Sequence, residues 1–279
     1  LTDVTGVQTC ALPIWHRNSH LHFFKLCNIQ TIDDITRESI RGFISLKSQQ
    51  GTSAETIRTY VRSIKAFYKW LLEEEYIEND IFKKKIHLPR TEERPLKLIS
   101  REDLRKLQKI LDVYPYYSNY QEKIRTKALF LMYMNTGMRK MEAFELKMEH
   151  VKLKERILFI TRTKTRECRN VVINDDLYMA LDEYCNYLRE IKSKNTYLFF
   201  NSDLLLPMSD GALRHIKEKI EGFGRRRFKI KEFTLHMFRH SYISYGIADS
   251  LPLSFIMNQV GHTQITTTQR YTQDRKSVV

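Results

Sequence analysis

The 279-residue chain is short of cysteine: Cys10, Cys27, Cys168 and Cys185 form no C-x-x-C spacing. At this length they read as reduced, buried thiols of a cytosolic protein, not as a disulfide framework. Long apolar runs are missing too. The longest clear one, Ala128 to Met134, falls far short of the eighteen or so residues that span a bilayer, so no membrane partner is expected. The first residues lack the basic start and apolar core of a signal peptide. There is no P-loop, no carboxylate cluster suited to Mg²⁺, and no glutamate in H-E-x-x-H register between His236 and His240. Those gaps argue against a nucleotide-driven enzyme, a Mg²⁺ nuclease and a zinc hydrolase. No internal repeat or low-complexity tract is present.

Acidic residues are the scarcer charge. Lys and Arg number 47 against 33 Asp and Glu, a net charge of +14. Such a balance suits a polyanion, and neutralised phosphates are an effective source of affinity for DNA. The basic residues cluster at Lys83, Lys84, Lys85, Arg90 and Arg94, and again at Arg225, Arg226, Arg227, Lys229 and Lys231. A basic protein with no nucleic-acid partner remains open on charge alone.

The length allows two modest domains. Residues 1–14, LTDVTGVQTCALPI, resemble translated adapter sequence, as do 274–279; both are expected to be non-native, with natural ends missing. Trp15 to Cys27 predicts a first helix, and Thr36 can cap a second with Ile40, Phe43 and Ile44 on one side. A third starts in a Thr52-x-x-Glu55 capping box. Its apolar residues Ile57, Tyr60, Val61, Ile64, Phe67, Tyr68, Leu71 and Leu72 keep a helical period, which reads as core packing. Residues 15–82 thus form a small helical domain, and 83–99, with two prolines and many charges, read as a linker.

The second domain is expected over 100–273. Ser100 caps a helix burying Leu104, Leu107, Ile110 and Leu111, and Tyr120 to Asn135 predicts an apolar helix broken at Thr136-Gly137. Ile157 to Thr161 and Asn170 to Ile173 read as a hairpin around a polar turn, Arg162 to Arg169. Helices follow at about 175–190 and 209–222, then two more. The fold class is mainly α, with a small antiparallel sheet in the C-terminal half.

Those last two helices carry a dense set of reactive side chains. His236, Arg239 and His240 stand at i, i+3 and i+4, one side of a helix. His262 follows Gly261 in a turn, and Tyr271 comes nine residues later. A phenol, a permanent cation and proton carriers suit attack on a phosphodiester. Arg139, after a glycine-broken helix end, can point into a cleft, and with Arg239 offers planar forks for one phosphate. Packing roles for the tyrosine and a metal pair or plain surface for the histidines stay open on these residues alone.

Thr136-Gly137-Met138-Arg139-Lys140-Met141-Glu142 with Leu146, then H-x-x-R-H, then G-H, then the terminal tyrosine stand in order over most of the chain. Together they resemble the tyrosine recombinase (phage integrase) family, over roughly residues 20–273. The resemblance implies a SAM-like, helical core-binding domain that clamps one face of the duplex, a flexible linker and a catalytic domain. It implies a site-specific recombinase that cuts and rejoins DNA at attachment sites without metal or cofactor, through a 3′-phosphotyrosine on Tyr271. Arg139 and Arg239 would hold the phosphate, His236 would accept the Tyr271 proton or position the phosphate, and His262 would donate to a phosphate oxygen. Lys164 matches the hairpin lysine that protonates the departing 5′ oxygen, with Arg162, Arg166 and Arg169 crowding the same turn. His240 would be a packed, hydrogen-bonded residue, and Glu142 would orient the basic cluster. A homotetramer exchanging strands through a Holliday junction, accessory directionality or bending proteins, and a cytoplasmic location are further implications. Family members usually carry a docking segment after the tyrosine, which is not evident here. A one-subunit topoisomerase and a DNA-binding protein without catalysis are the remaining readings.

Overall fold

A computed structural model of the chain describes residues 14–91, 95–161, 168–201, 206–265, 267, 268 and 271. The chain divides into two compact units, residues 1–94 and 95–279.

The first unit is built on α1 (Ile14–Cys27), α2 (Arg37–Gln49) and α3 (Ala54–Glu73). Thr36 caps α2 by accepting the Ser39 N–H at 3.1 Å. The cap of α3 is Ser53, whose hydroxyl accepts the Thr56 N–H at 3.2 Å. It lies one residue past the expected Thr52, because the Thr52 N–H is committed to the Lys47 carbonyl in the turn leaving α2. The apolar stripe of α3 is buried as its period requires: Ile57, Val61, Ile64, Phe67, Tyr68 and Leu71 all lie in the interior. Phe23, Ile40 and Phe43 complete this core.

Residues 83–91 are not free of that unit. The Arg37 guanidinium donates to the carbonyls of Ile81, Lys84 and Lys85, Arg58 donates to the Pro89 carbonyl, and Ile86 is buried. Charge and proline content describe a solvated stretch, whereas backbone carbonyls accept from arginines whatever side chains flank them.

The second unit contains α4 (Arg101–Val113), α5 (Tyr120–Thr136), the short α6 (Lys140–Phe144), α7 (Asp175–Glu190), α8 (Asp210–Phe228), α9 (Leu235–Ala248) and α10 (Leu253–Val260). A sheet of order β1-β2-β3 lies among them: β1 (Val151–Lys152), β2 (Ile157–Ile160) and β3 (Arg169–Val172), all antiparallel. The hairpin is as expected, but β1 is too short to carry a pattern. Helix α5 is buried on nearly every side, from Ile124 through Ala128–Tyr133 to Thr136, and forms the centre of the larger core. Its apolar residues show little sidedness because it has neighbours all round. The outcome is a mostly helical protein with one small antiparallel sheet.

Two details position the site. In β3 the inward positions are Arg169 and Val171, and Arg169 stands opposite Ile160 in the register. It is a buried strand residue, not part of an exposed turn. On α9, one face is fixed to the start of α4. Ile99 exchanges hydrogen bonds with the Ser241 hydroxyl, and the Tyr245 hydroxyl donates to the Ile99 carbonyl at 2.8 Å. That leaves His236, Arg239 and His240 for the other side.

The thiols differ from expectation: Cys185 is buried, Cys27 half-buried and Cys168 exposed, all three free. Among the described residues no helix is long and apolar enough to cross a membrane. Helix α8 runs past Gly222 and Gly224, where a helix end was expected. A β-carbon on Gly224 would lie 2.4 Å from Ile230 Cδ1 and 2.9 Å from Ile110 Cδ1. The glycine serves close packing, not termination. Gly224→Ala should therefore destabilise the protein by about 1–2 kcal/mol, since overpacking outweighs the better helix propensity of alanine. Urea unfolding followed by tryptophan-independent circular dichroism measures this, and an unchanged or raised midpoint would contradict the close contact.

Candidate active site

The site is assembled around one buried carboxylate. Glu142, in the first turn of α6, accepts four hydrogen bonds. Two come from Arg139, its backbone N–H at 2.8 Å and Nη1 at 2.9 Å. Two come from Arg169 of β3, Nη1 at 2.9 Å and Nη2 at 2.8 Å, a bidentate pair with both side chains buried. Burial alone would raise the pKa of Glu142, but the bonds from Arg169 and Arg139 outweigh it and hold the group below the usual carboxylate range.

Two left-handed glycines finish the frame. Gly137 ends α5 at φ 60° and Gly261 ends α10 at φ 68°. Each turns a carbonyl toward an arginine from elsewhere. Arg239 Nη1 donates to Gly137 O at 2.8 Å, and Arg139 Nη2 donates to Gly261 O at 3.1 Å. Arg169 Nε reaches the Gln259 carbonyl at 3.2 Å, and a β-carbon on Gly261 would lie 2.8 Å from Arg169 Nη1. Glycine is required there for both backbone conformation and space.

Arg139, His236, Arg239, His240, His262 and Tyr271 then line one open cavity of about 550 Å³. Five of the six residues expected to act are thus brought together; the sixth, Lys164, lies outside the described residues. Arg239 is almost wholly buried, and burial, followed by the nearby Arg139 cation, draws it down to about 10, still charged at neutral pH. Its Nη2 is buried with no hydrogen-bond partner among the described residues. A buried charged donor without a partner, on a residue that lines a cavity, is a place for an anion. His236, in the first turn of α9, has its pKa lowered by burial and then by Arg239 and Arg139. Burial followed by the same two cations takes His262 down to about 4, and its Nδ1 bonds Thr268 Oγ1 at 2.8 Å.

Tyr271 packs on Ile243, Ile247, Ile256 and Val260, with its hydroxyl at the cavity. The hydrogen bond to that hydroxyl is made by His240, Nδ1 to Oη 2.7 Å, and not by His236. His236 and His240 are one helical turn apart, and the apolar bed of Tyr271 lies beside the later turn. The neighbouring tyrosines are engaged otherwise. Tyr245 bonds Ile99, and Tyr242, pushed up to about 12 by burial, lies where a β-carbon on Gly137 would be 3.0 Å from its ring. Arg169 went unrecognised in the sequence. The available signal was its alternation with Val171 and Ile173, which puts the arginine on the inward side of the β-run that follows, where a buried acid must pair with it.

Residues 99–277 match the family described as phage integrase, and residues 18–75 match the phage integrase N-terminal SAM-like domain. The chain belongs to the phage integrase family. Among similar proteins, tyrosine recombinase XerC of Bacillus subtilis is 24% identical over 261 residues, covering 92% of this chain and 83% of that protein. Tyrosine recombinase XerA of Pyrococcus furiosus is 28% identical over 246 residues, covering 85% and 76%. The solved XerH site-specific recombinase bound to palindromic difH substrate, a post-cleavage complex, has a TM-score of 0.72 at 22% identity, covering 98% of this chain and 78% of that one. The Tn1549 transposon integrase in complex with circular intermediate DNA has a TM-score of 0.69 at 14% identity, covering 93% and 90%. These structural likenesses show the shared fold. Within the phage integrase family, the chain is a tyrosine-type site-specific DNA recombinase. The relatives are named recombinases and integrases, which does not favour a relaxing topoisomerase or a DNA binder without catalysis.

Glu142→Ala would leave the Arg169 guanidinium buried and unpaired, and should lower stability by about 3–5 kcal/mol. Combining Glu142→Leu with Arg169→Met removes both buried charges. Unfolding should then show most of the stability regained, while strand cleavage stays low because Arg139 loses both bonds to Glu142 and keeps only its bond to the Gly261 carbonyl. Recovery of cleavage in the double variant would refute the anchoring role.

His236 and His262 both lie below the ordinary histidine value of about 6.5 in the folded protein, so the unfolded chain takes up protons more readily. Stability from these groups is complete above about pH 6.5 and declines as pH falls toward 4, the folded value of His262. Denaturation midpoints between pH 7 and 4.5 should fall less steeply for His262→Gln than for the parent. Equal slopes would mean that this imidazole is not held neutral by its surroundings.

Proposed function

We propose that this recombinase cleaves double-stranded DNA at attachment sites through the Tyr271 hydroxyl. The phenolic oxygen attacks a backbone phosphorus, a 3′-phosphotyrosine forms, and the 5′ oxygen departs. Arg139 and Arg239 hold the non-bridging oxygens and stabilise the charge of the phosphorane. His236 and His262 hydrogen-bond those oxygens, and Lys164 protonates the leaving 5′ oxygen. The phosphodiester energy is kept in the covalent link, so rejoining follows by attack of a 5′ hydroxyl without ATP, metal or other cofactor. The observation that carries this reading is the cavity itself, which Tyr271 lines together with two arginines, one with a buried, unsatisfied Nη2.

The net charge of +14 supports a DNA partner. Among the similar structures, XerH is bound to palindromic difH substrate and the Tn1549 integrase is in complex with circular intermediate DNA. Four protomers on two sites, exchanging strands through a Holliday junction, are the working assembly in this proposal, with accessory directionality or bending proteins as partners. The cytoplasm, where such DNA is found, is its proposed location.

Tyr271→Phe removes the attacking atom while leaving shape and charge almost unchanged. It should bind site DNA as the parent does and give no covalent adduct on a nicked suicide substrate. Arg139→Ala and Arg239→Ala keep the nucleophile and lose bonds that strengthen in the transition state, on the order of 3 kcal/mol or 10²-fold in cleavage rate. Denaturing gels read the adduct directly, and an adduct from Tyr271→Phe would remove Tyr271 from the reaction.

A further inference from the structure

We propose that Thr268 is a positioning residue for strand cleavage: its hydroxyl donates to His262 Nδ1 and so keeps the imidazole proton on Nε2, the nitrogen that meets the phosphate. This rests on the phosphate reading of the cavity given above. Thr268 Oγ1 lies 2.8 Å from His262 Nδ1, and the threonine is wholly buried. His262 lines the cavity with Thr263, Thr267 and Tyr271, and Thr268 is not part of that wall. The threonine therefore stands behind the imidazole and reaches the phosphate only through it.

The direction of the bond follows from burial. A helical threonine can turn its hydroxyl onto a carbonyl of the preceding turn. Among the described residues, Thr268 bonds only His262. Were the imidazole to donate, the threonine proton would be buried without an acceptor. When the threonine donates, only lone pairs go unfilled, which costs less. Nδ1 is then an acceptor. The ring holds one proton at neutral pH, because burial, then Arg239, Arg139 and Arg169, bring His262 down to about 4. A neutral imidazole that accepts at one nitrogen donates at the other. With its proton on Nδ1 the ring would instead turn a lone pair toward the phosphate oxygens.

The backbone holds the histidine end of this bond. Gly261, at φ 68°, closes α10, with His262 N–H on the Met257 carbonyl at 3.0 Å and Gly261 N–H on the Asn258 carbonyl at 3.2 Å. That pair of hydrogen bonds fixes where the His262 side chain starts. At the other end Thr268 is β-branched, so its hydroxyl has few rotamers to choose from. It stands three residues before Tyr271, whose ring rests on its apolar bed with its centroid 6.4 Å from that of His262. One hydrogen bond thus ties the segment carrying the phenol to the wall that receives the phosphate.

Two measurements test the assignment. Long-range ¹H–¹⁵N spectra of the free protein at neutral pH, with His262 assigned through His262→Ala, should show its proton on Nε2 and a bare Nδ1. A proton on Nδ1 overturns the proposal, and this readout needs neither DNA nor a variant of Thr268. The second measurement is single-turnover cleavage of a nicked suicide duplex carrying the junction sequence that flanks the encoding gene. Thr268→Val keeps the shape and loses the hydroxyl. It should bind the duplex as the parent does and cleave roughly 10-fold more slowly, the scale of one hydrogen bond. Thr268→Ser should restore the rate. In a His262→Ala background, Thr268→Val should cause no further loss, because no imidazole remains to be held. Parental cleavage by Thr268→Val overturns the proposal. So does an equal loss with and without His262, which would mean that Thr268 only packs the segment of Tyr271. Parental cleavage by His262→Ala removes the phosphate role on which the proposal rests. An adduct from Tyr271→Phe would instead overturn the nucleophile assignment, on which the tautomer measurement does not depend.

Discussion

A single buried carboxylate organises the catalytic unit. Glu142 receives the backbone N–H and the guanidinium of Arg139, together with the bidentate fork of Arg169. A charge out of water is tolerated only when its acceptor sites are filled, and here four donors fill them. The donors come from different places in the chain. Arg139 precedes α6, Arg169 begins β3, and through the carbonyls of Gln259 and Gly261 both reach the end of α10. Helix, sheet and the turn bearing His262 are therefore registered against one another by one anion. The trio carries a net positive charge, and Arg139 is its member on the cavity wall.

The arginines are held through some of their donors and keep others unspent. A guanidinium has five N–H groups in a fixed plane, so anchoring one edge aims the other. Arg239 spends Nη1 on Gly137 and leaves Nη2 buried and unsatisfied. Preorganisation of this kind has an energetic cost in the free protein, because the cations repel one another and add to the burial that already depresses the two histidines beside them. An anionic phosphate relieves that repulsion. The conformation of Gly137 and the closeness of Gly261 to Arg169 are part of the same device, since each carbonyl is presented by a left-handed residue at a helix end.

Local chemistry made much of the fold legible. Thr36 and Ser100 cap helices where their spacing to the next free N–H predicts, and α3 buries the residues its period selects. α7 occupies 175–190, the range its pattern predicts. The departures have local causes of a different sort. Gly224 is in α8 because Ile230 and Ile110 crowd it. Ser53 replaces Thr52 as a cap because a neighbouring turn has already used Thr52. The stretch 83–91 lies along the first unit because arginines find its carbonyls.

The residue types and intervals of Arg139, His236, Arg239, His262 and Tyr271, taken with the frame from Thr136 to Glu142 and Leu146, pointed to phosphoryl chemistry and to the family. Such information survives in a linear chain because the reaction demands particular functional groups, and the motifs keep them in short, countable frames. Which group touches which was decided only by tertiary packing. Glu142 meets Arg169 across 27 residues, His240 meets Tyr271 across 31, and Arg139 meets Gly261 across 122. No periodicity or spacing encodes those pairs. They follow from the inward turn of a strand residue and from the apolar bed under Tyr271, where burial chooses the partner after the backbone has brought the candidates within reach.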